Sequence, residues 1–251
     1  MCTRITRCIL HLSPQISTSG AVSGFTIRLS NNAPPTDPRD PRVFALADTH
    51  LGFGVNKTMH RFGSEWWHHP EKILKRAWQT LGDDDILLIP GDLSWATKPR
   101  QATPDLEFLT KLPGIKICIK GNHDYWWESD KRLKFPGLLD PPQRFGDLGI
   151  AGTRGWDLSD ERILQRERKR LEKNLAAIAD APVKIAMLHY PPQPFLDILS
   201  AADVQFCVYG HVHLRSFPED EALVCQGEEI SGVRCYCVAC DRIAFTPLRL
   251  L

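Results

Sequence analysis

The stretch Ile115 to Asp124 reads IKICIKGNHD. Its first half, Ile115–Ile119, has strand length and no helical period. Its second half is polar and turn-like, with Gly121, Asn122, His123 and Asp124 in succession. A short apolar run that delivers such residues at its carboxyl end is the local signature of a ligand-bearing strand in an open α/β sheet.

The same arrangement recurs on both sides of this stretch. Val43–Ala47 is followed by Asp48-Thr49-His50, and Ile86–Ile89 by Pro90-Gly91-Asp92. Downstream, Val183–Leu188 is followed by His189, and Val204–Tyr209 by Gly210-His211-Val212-His213. Further apolar runs at Ile150–Gly152, Val233–Ala239 and Ile243–Leu248 complete the expected strands. Such runs imply strands buried on both faces, hence a layered α/β domain. Helical patterns lie between them at Glu65 to Leu81, Pro104 to Leu112 and Leu158 to Ala181. The last contains the run Arg166 to Lys173, RERKRLEK. Alternating charge on a helix points to a solvated face rather than a nucleic-acid patch.

Composition sets outer bounds. The chain has 251 residues, 43% hydrophobic and 24% charged, with a formal net charge of +1. A single compact domain is expected, without the strong basic field of a nucleic-acid binder. No apolar run approaches the roughly 20 residues of a membrane span. The piece Cys8 to Leu12, behind Arg4 and Arg7, is too short for a secretory signal, so a cytoplasmic location is expected. Residues 1–41 are rich in Ser, Thr, Asn and Pro and end in APPTDPRDP. They are expected to be a disordered tail or linker, leaving 42–251 as the domain. The eight cysteines lack the layout of a disulfide framework and are expected to be mostly reduced. Cys225, Cys235, Cys237 and Cys240 do not have standard zinc-knuckle spacing and are expected to pack the core. His68-His69-Pro70 opens a helix and is not expected to bind metal.

Five of the nine histidines fall at the strand ends, beside Asp48, Asp92 and Asn122. Singly, each could be a turn or capping residue. Gathered in one place without a cation, they would leave buried charges and acceptors unpaired. Mixed imidazole and carboxylate donors without thiolate suit Mn, Fe, Zn, Co or Ni. The set can serve two cations if Asp92, on a central strand, is shared between them. The glycines preceding Asp92, Asn122 and His211 would permit tight turns and close backbone approach.

These blocks, in this order, resemble the signature of the calcineurin-like metallophosphoesterase superfamily. The resemblance covers about Arg42 to Leu251. GDLSWA (Gly91 to Ala96), GNHDYWW (Gly121 to Trp127), GTRGW (Gly152 to Trp156) and LHYPP (Leu188 to Pro192) resemble a bacterial-type group of predicted phosphohydrolases within it. The resemblance implies a four-layer αββα sandwich of two mixed β-sheets flanked by helices. It implies two divalent metal ions, with Mn, Fe or Zn favoured. Asp48, His50 and His213 would hold the first, Asn122, His189 and His211 the second, and Asp92 would bridge. A hydroxide between the metals would attack a phosphate ester. His123 would act as general acid or transition-state donor, and Asp124 would orient it. The expected substrate is a phosphomonoester or phosphodiester, with a small molecule or nucleotide favoured. The alternatives are a phosphoprotein (Ser/Thr) phosphatase and a non-catalytic scaffold on the same fold. Aromatic residues near the motifs, including Trp66, Trp95, Tyr125, Trp126 and Trp127, could form a rim for an aromatic ester or could pack the loops. Arg154 could grip a phosphate or form a surface ion pair.

Overall fold

The computed structural model describes residues 41–128, 131–215 and 218–251. The tail expected at 1–41 therefore lies, up to residue 40, outside the described residues.

Two sheets stand face to face. The first has parallel strands β1 (Val43–Ala45), β2 (Ile86–Pro90), β3 (Ile115–Ile119) and β4 (Leu138–Leu139), with β11 (Leu248–Arg249) antiparallel along β1. The second runs β5 (Gln143–Phe145), β6 (Leu148–Thr153), β7 (Val183–Leu188), β8 (Phe206–Tyr209), β10 (Val233–Cys237) and β9 (Gln226–Ile230). Its four central strands are parallel, and each edge strand is antiparallel to its neighbour.

Side-chain alternation turns these sheets into four layers. Along β2, Ile86 and Leu88 face the space between the sheets, together with Val43, Ala45 and Ile117 from the first sheet and Ile150, Ile185, Met187 and Val208 from the second. Leu87 and Ile89 face outward, where Ile73 and Ala77 of α1 (His69–Thr80) and Leu106 and Leu109 of α2 (Pro99–Thr110) cover them. On the far side, Ala186 and Leu188 of β7 meet Leu164, Leu171 and Leu175 of α3 (Glu161–Ala176) and Leu199 of α4 (Leu196–Ala201). A short α5 (Pro218–Glu221) precedes β9. A strand with helices on one face and a second sheet on the other must be apolar at every position, which is why these runs lack a polar alternate.

Several expected elements shift. Ile243–Leu248 is not a strand: Ala244 and Phe245 take left-handed backbone angles in a turn, and only Leu248–Arg249 pairs. α2 begins at Pro99, where a missing N–H costs nothing, and the Gln101 side chain closes its first turn through the backbone amides of Thr97 and Lys98. α3 does not present a wholly solvated face. Glu167, within the charged run, is buried, receives the Thr153 hydroxyl, and pairs with Arg170 at 2.7 Å. Cys225, Cys235, Cys237 and Cys240 are free, buried thiols, as the core reading expected.

The two sheets are stitched together where the functional loops begin. Ala47 forms a bridge with Ala239, its amide bonding Val238 O at 2.7 Å while its carbonyl accepts from Cys240 N at 3.0 Å. Beyond the ends of β1 and β2 the two chains keep pairing. Asp48 N bonds Gly91 O, His50 N bonds Asp92 O, and Leu51 N bonds Leu93 O, all at 2.9–3.0 Å.

Candidate metal centre

Asp48 and His50 follow β1, Asp92 follows β2, Asn122 follows β3, His189 follows β7, and His211 and His213 follow β8. All of these strands run parallel within their sheets, so their carboxyl ends open onto one face. There the seven side chains converge. Asp48, His50 and His213 present donor atoms within 4.8 Å of one another, and so do Asp48, Asp92 and His189. Asn122 Oδ1 lies 2.6 Å from His189 Nε2 and 3.0 Å from His211 Nδ1.

The backbone is bent to achieve this. Asp48, His50, Asp92 and His211 all have φ between 42° and 70°, the left-handed region that side chains with a Cβ disfavour. Concentrated strain of this kind marks a functional site whose geometry the surrounding fold enforces. Close approach also excludes side chains at two neighbours. A Cβ on Gly121 would lie 2.0 Å from Asp92 Oδ1, and one on Gly210 would lie 2.3 Å from Asp48 Oδ2. Gly121→Ala is therefore expected to push Asp92 out of position and cost about 1–3 kcal/mol of stability. Metal content and thermal unfolding would show both effects. Gly82→Ala, whose added Cβ meets nothing closer than 3.6 Å, serves as the control.

The donors fit a cation. His189 Nδ1 donates to the Pro90 carbonyl at 3.0 Å. Its Nε2 then carries the lone pair, which faces Asn122 Oδ1 at 2.6 Å and Asp92 Oδ2 at 3.5 Å. Acceptors facing acceptors in a buried pit are reconciled by positive charge among them. On the other side, His213 Nδ1 bonds Asp241 Oδ1 at 3.1 Å, turning its Nε2 toward His50 Nε2 at 3.2 Å and Asp48 Oδ1 at 3.8 Å. His50 Nδ1 is buried with no hydrogen-bond partner.

Electrostatics agree. Burial lowers His213, but the Asp241 bond and the Asp48 charge outweigh it and push the imidazole up to about 9, so this corner attracts positive charge. Burial holds His189 and His211 down at about 3, keeping both rings neutral and able to ligate. Burial likewise pushes Asp92 up to about 6 and Asp48 well above the carboxylate range. Two buried carboxylates this reluctant to ionise need a compensating cation.

Asp124 corrects an expectation. It does not bond the His123 ring. Its carboxylate accepts from the backbone amides of Leu93, Ser94 and Gly121 at 2.8–3.0 Å and from Trp126 Nε1 at 3.1 Å. It thus clasps the loops after β2 and β3 together. His123 is set instead by its own amide, which donates to Asp92 Oδ1 at 2.8 Å, and by its ring resting 4.4 Å from the Trp95 ring.

Two residues, Asp241 and Lys57, escaped the sequence reading, and the supporting part played by His69 was not foreseen. Asp241 holds His213 and also accepts from the amides of Leu214 and Arg242. His69 is not a ligand; its Nε2 bonds the carbonyl of Thr49, between Asp48 and His50, at 3.0 Å. Lys57 places its ammonium 3.2 Å above the Trp95 ring, and its charge helps hold His123 below the usual imidazole range, chiefly a result of burial. Asp241 and Lys57 are lone residues without a motif, so only the fold reveals them. Carboxylates that orient ligating histidines typically matter 10- to 100-fold for metal affinity. Asp241→Asn is accordingly expected to weaken metal binding by about that factor, measured by titrating metal into stripped protein.

The aromatic residues divide. Trp126 and Trp127 are buried loop packing, while Trp66, also buried, meets the His50 and His213 rings edge-on and lines the cavity beside the centre. Trp95 stacks on His50 at 4.6 Å and, with Phe62, Met59, His123 and His213, lines a cavity of about 210 Å³ beside the centre.

A four-layer sandwich whose parallel strand ends gather carboxylate, amide and imidazole donors defines a metal-dependent hydrolase acting on phosphate esters. The model of the calcineurin-like phosphoesterases matches residues 41–215, and the chain belongs to that family. Among solved structures, the phosphopantetheinyl hydrolase of Mycobacterium tuberculosis is similar in fold, with a TM-score of 0.50 and 14% identity over 86% of this chain and 97% of that one. A protein of unknown function from Aquifex aeolicus aligns over 84% of this chain and 96% of its own, with 17% identity and a TM-score of 0.43. No curated protein matches the sequence. Among the described residues, no helix is long and apolar enough to cross a membrane.

Proposed function

We propose that the chain hydrolyses a phosphomonoester or phosphodiester, with a small molecule or nucleotide favoured, using two divalent cations. Asp48, His50 and His213 would hold one cation, Asn122, His189 and His211 the other, and Asp92 both. One observation carries this reading: Asp92 Oδ2 faces His50 Nε2 at 3.6 Å and His189 Nε2 at 3.5 Å, so this carboxylate lies between one histidine of each proposed set.

When bound, such cations activate water near neutral pH and polarise phosphoryl oxygens. The chain's own groups supply the rest. Asp124 fixes the separation of the Asp92 and Asn122 loops. The His123 ring is half-buried, sits 5.6 Å from the His50 ring, and makes no hydrogen bond among the described residues, leaving its N–H for a departing ester oxygen. Lys57, beside it on Trp95, adds positive charge where that oxygen becomes anionic. Phe62, Met59 and Trp95 give the cavity beside the centre apolar walls suited to an aromatic leaving group.

The test is hydrolysis of p-nitrophenyl phosphate and bis-p-nitrophenyl phosphate by stripped protein resupplied with Mn, Fe, Zn, Ni or Mg. Turnover that returns with two bound equivalents is expected, and the ratio of the two rates separates monoesterase from diesterase. Maximal turnover at a single equivalent would overturn the dinuclear reading.

A further inference from the structure

A second cleft, about 380 Å³ in volume, opens between the loop after β3, the end of β6 and one face of α3. Its charge is unbalanced. Among the described residues two carboxylates line it, and both are already engaged: Asp140 pairs with Arg132 at 3.2 Å, and Glu167 with Arg170 at 2.7 Å and Arg166 at 3.5 Å. Lys120, Arg154 and Lys173 also line it. Among the described residues none of these three has a carboxylate partner. The Lys120 ammonium donates to Trp127 O, and the Arg154 guanidinium lies 4.5 Å from the Trp156 ring centre without a hydrogen bond. A half-buried arginine that makes no ion pair is costly unless an anion visits it.

Residues lining the cleft are tied to the candidate metal centre through the backbone, and their neighbours through ring contacts. Lys120 immediately precedes Gly121 and Asn122. The Arg154 carbonyl accepts from His189 N at 2.9 Å. The ring of Trp156 packs on Tyr190 at 5.0 Å, and Tyr190 on His211 at 4.3 Å.

We propose that Lys120, Arg154 and Lys173 form a subsite for a second phosphate of the substrate, so that the preferred substrate is a small molecule carrying two phosphoryl groups, one hydrolysed and one gripped. This rests on the phosphoesterase reading above. The bounded volume favours a compact bisphosphate over a nucleic-acid strand, which would need a through-groove.

The experiment compares p-nitrophenyl phosphate, with its single anion, against adenosine 3′,5′-bisphosphate in the metal-loaded full chain. Variants are Arg154→Gln, Arg154→Lys and Lys173→Gln. The ratio of kcat/KM values, bisphosphate over p-nitrophenyl phosphate, is expected to fall about 10- to 100-fold in Arg154→Gln. It should fall less in the exposed Lys173→Gln and recover partly in Arg154→Lys, with the change in KM. An unchanged ratio, while metal-dependent turnover persists, would overturn the subsite and leave the phosphoesterase standing. If p-nitrophenyl phosphate is not hydrolysed at all, the function fails, and tryptophan fluorescence titrated with inorganic pyrophosphate decides the subsite alone. Binding weakened by Arg154→Gln supports the subsite, and equal binding by both proteins removes it. Single-stranded oligonucleotide bound more tightly than the bisphosphate would also overturn it.

Discussion

Asp92→Asn is expected to lower kcat/KM by about three orders of magnitude or more, equivalent to at least about 4 kcal/mol of transition-state stabilisation. Bound metal should fall in the same variant. Asp92 is buried, and its Oδ2 faces a histidine of each donor group. Asparagine keeps the shape and can still accept from the His123 amide, but it removes the negative charge both cations would share. The same change should raise the unfolding temperature of the metal-free protein. The sign follows from the shift: burial raises the folded pKa of Asp92 to about 6. A carboxyl raised above its unfolded value contributes stability at low pH that is lost as pH rises through that value. At neutral pH, metal-free, the ionised group is a burden that the neutral amide lacks. Full metal occupancy in Asp92→Asn, or a lower metal-free unfolding temperature, would contradict the assignment.

His123→Ala is expected to act selectively. With an alkyl ester such as a nucleoside monophosphate, whose alkoxide leaves poorly, kcat should fall about 10²- to 10⁴-fold. With p-nitrophenyl phosphate, whose leaving group needs no proton, the loss should stay below about tenfold. Metal content should be unaffected, because the bond from residue 123 to Asp92 is made by the backbone amide. An equal loss on both substrates would remove His123 from the leaving-group side and make it a binding residue.

The parts of this molecule that could be read in the sequence are those where one physical rule dominates. β3 and β7 were expected at Ile115–Ile119 and Val183–Leu188 and occur there, because strands sandwiched between layers are apolar throughout. The edge strands Gln143–Phe145 and Gln226–Ile230 were missed: their residues are largely polar and exposed, and pairing alone defines them. The fold class follows from the central strands. The residues that converge at the strand ends were legible because each follows such a strand. Asp124 was assigned to the wrong partner because its role depends on backbone amides from two loops, which leave no trace in residue type. Asp241 lies in the turn after β10, 28 residues from the His213 it holds.

The centre draws on residues from Asp48 to His213, and the bridge between Ala47 and Ala239 closes beneath it. No local segment carries a complete donor set, so the pit cannot form until both sheets have found one another. Metal capture would then be the closing event of folding rather than a seed for it. A chain with one sheet misassembled could not retain the ion. Occupancy of the centre would thus report that the long-range topology is correct, giving the molecule a built-in proof of its own assembly.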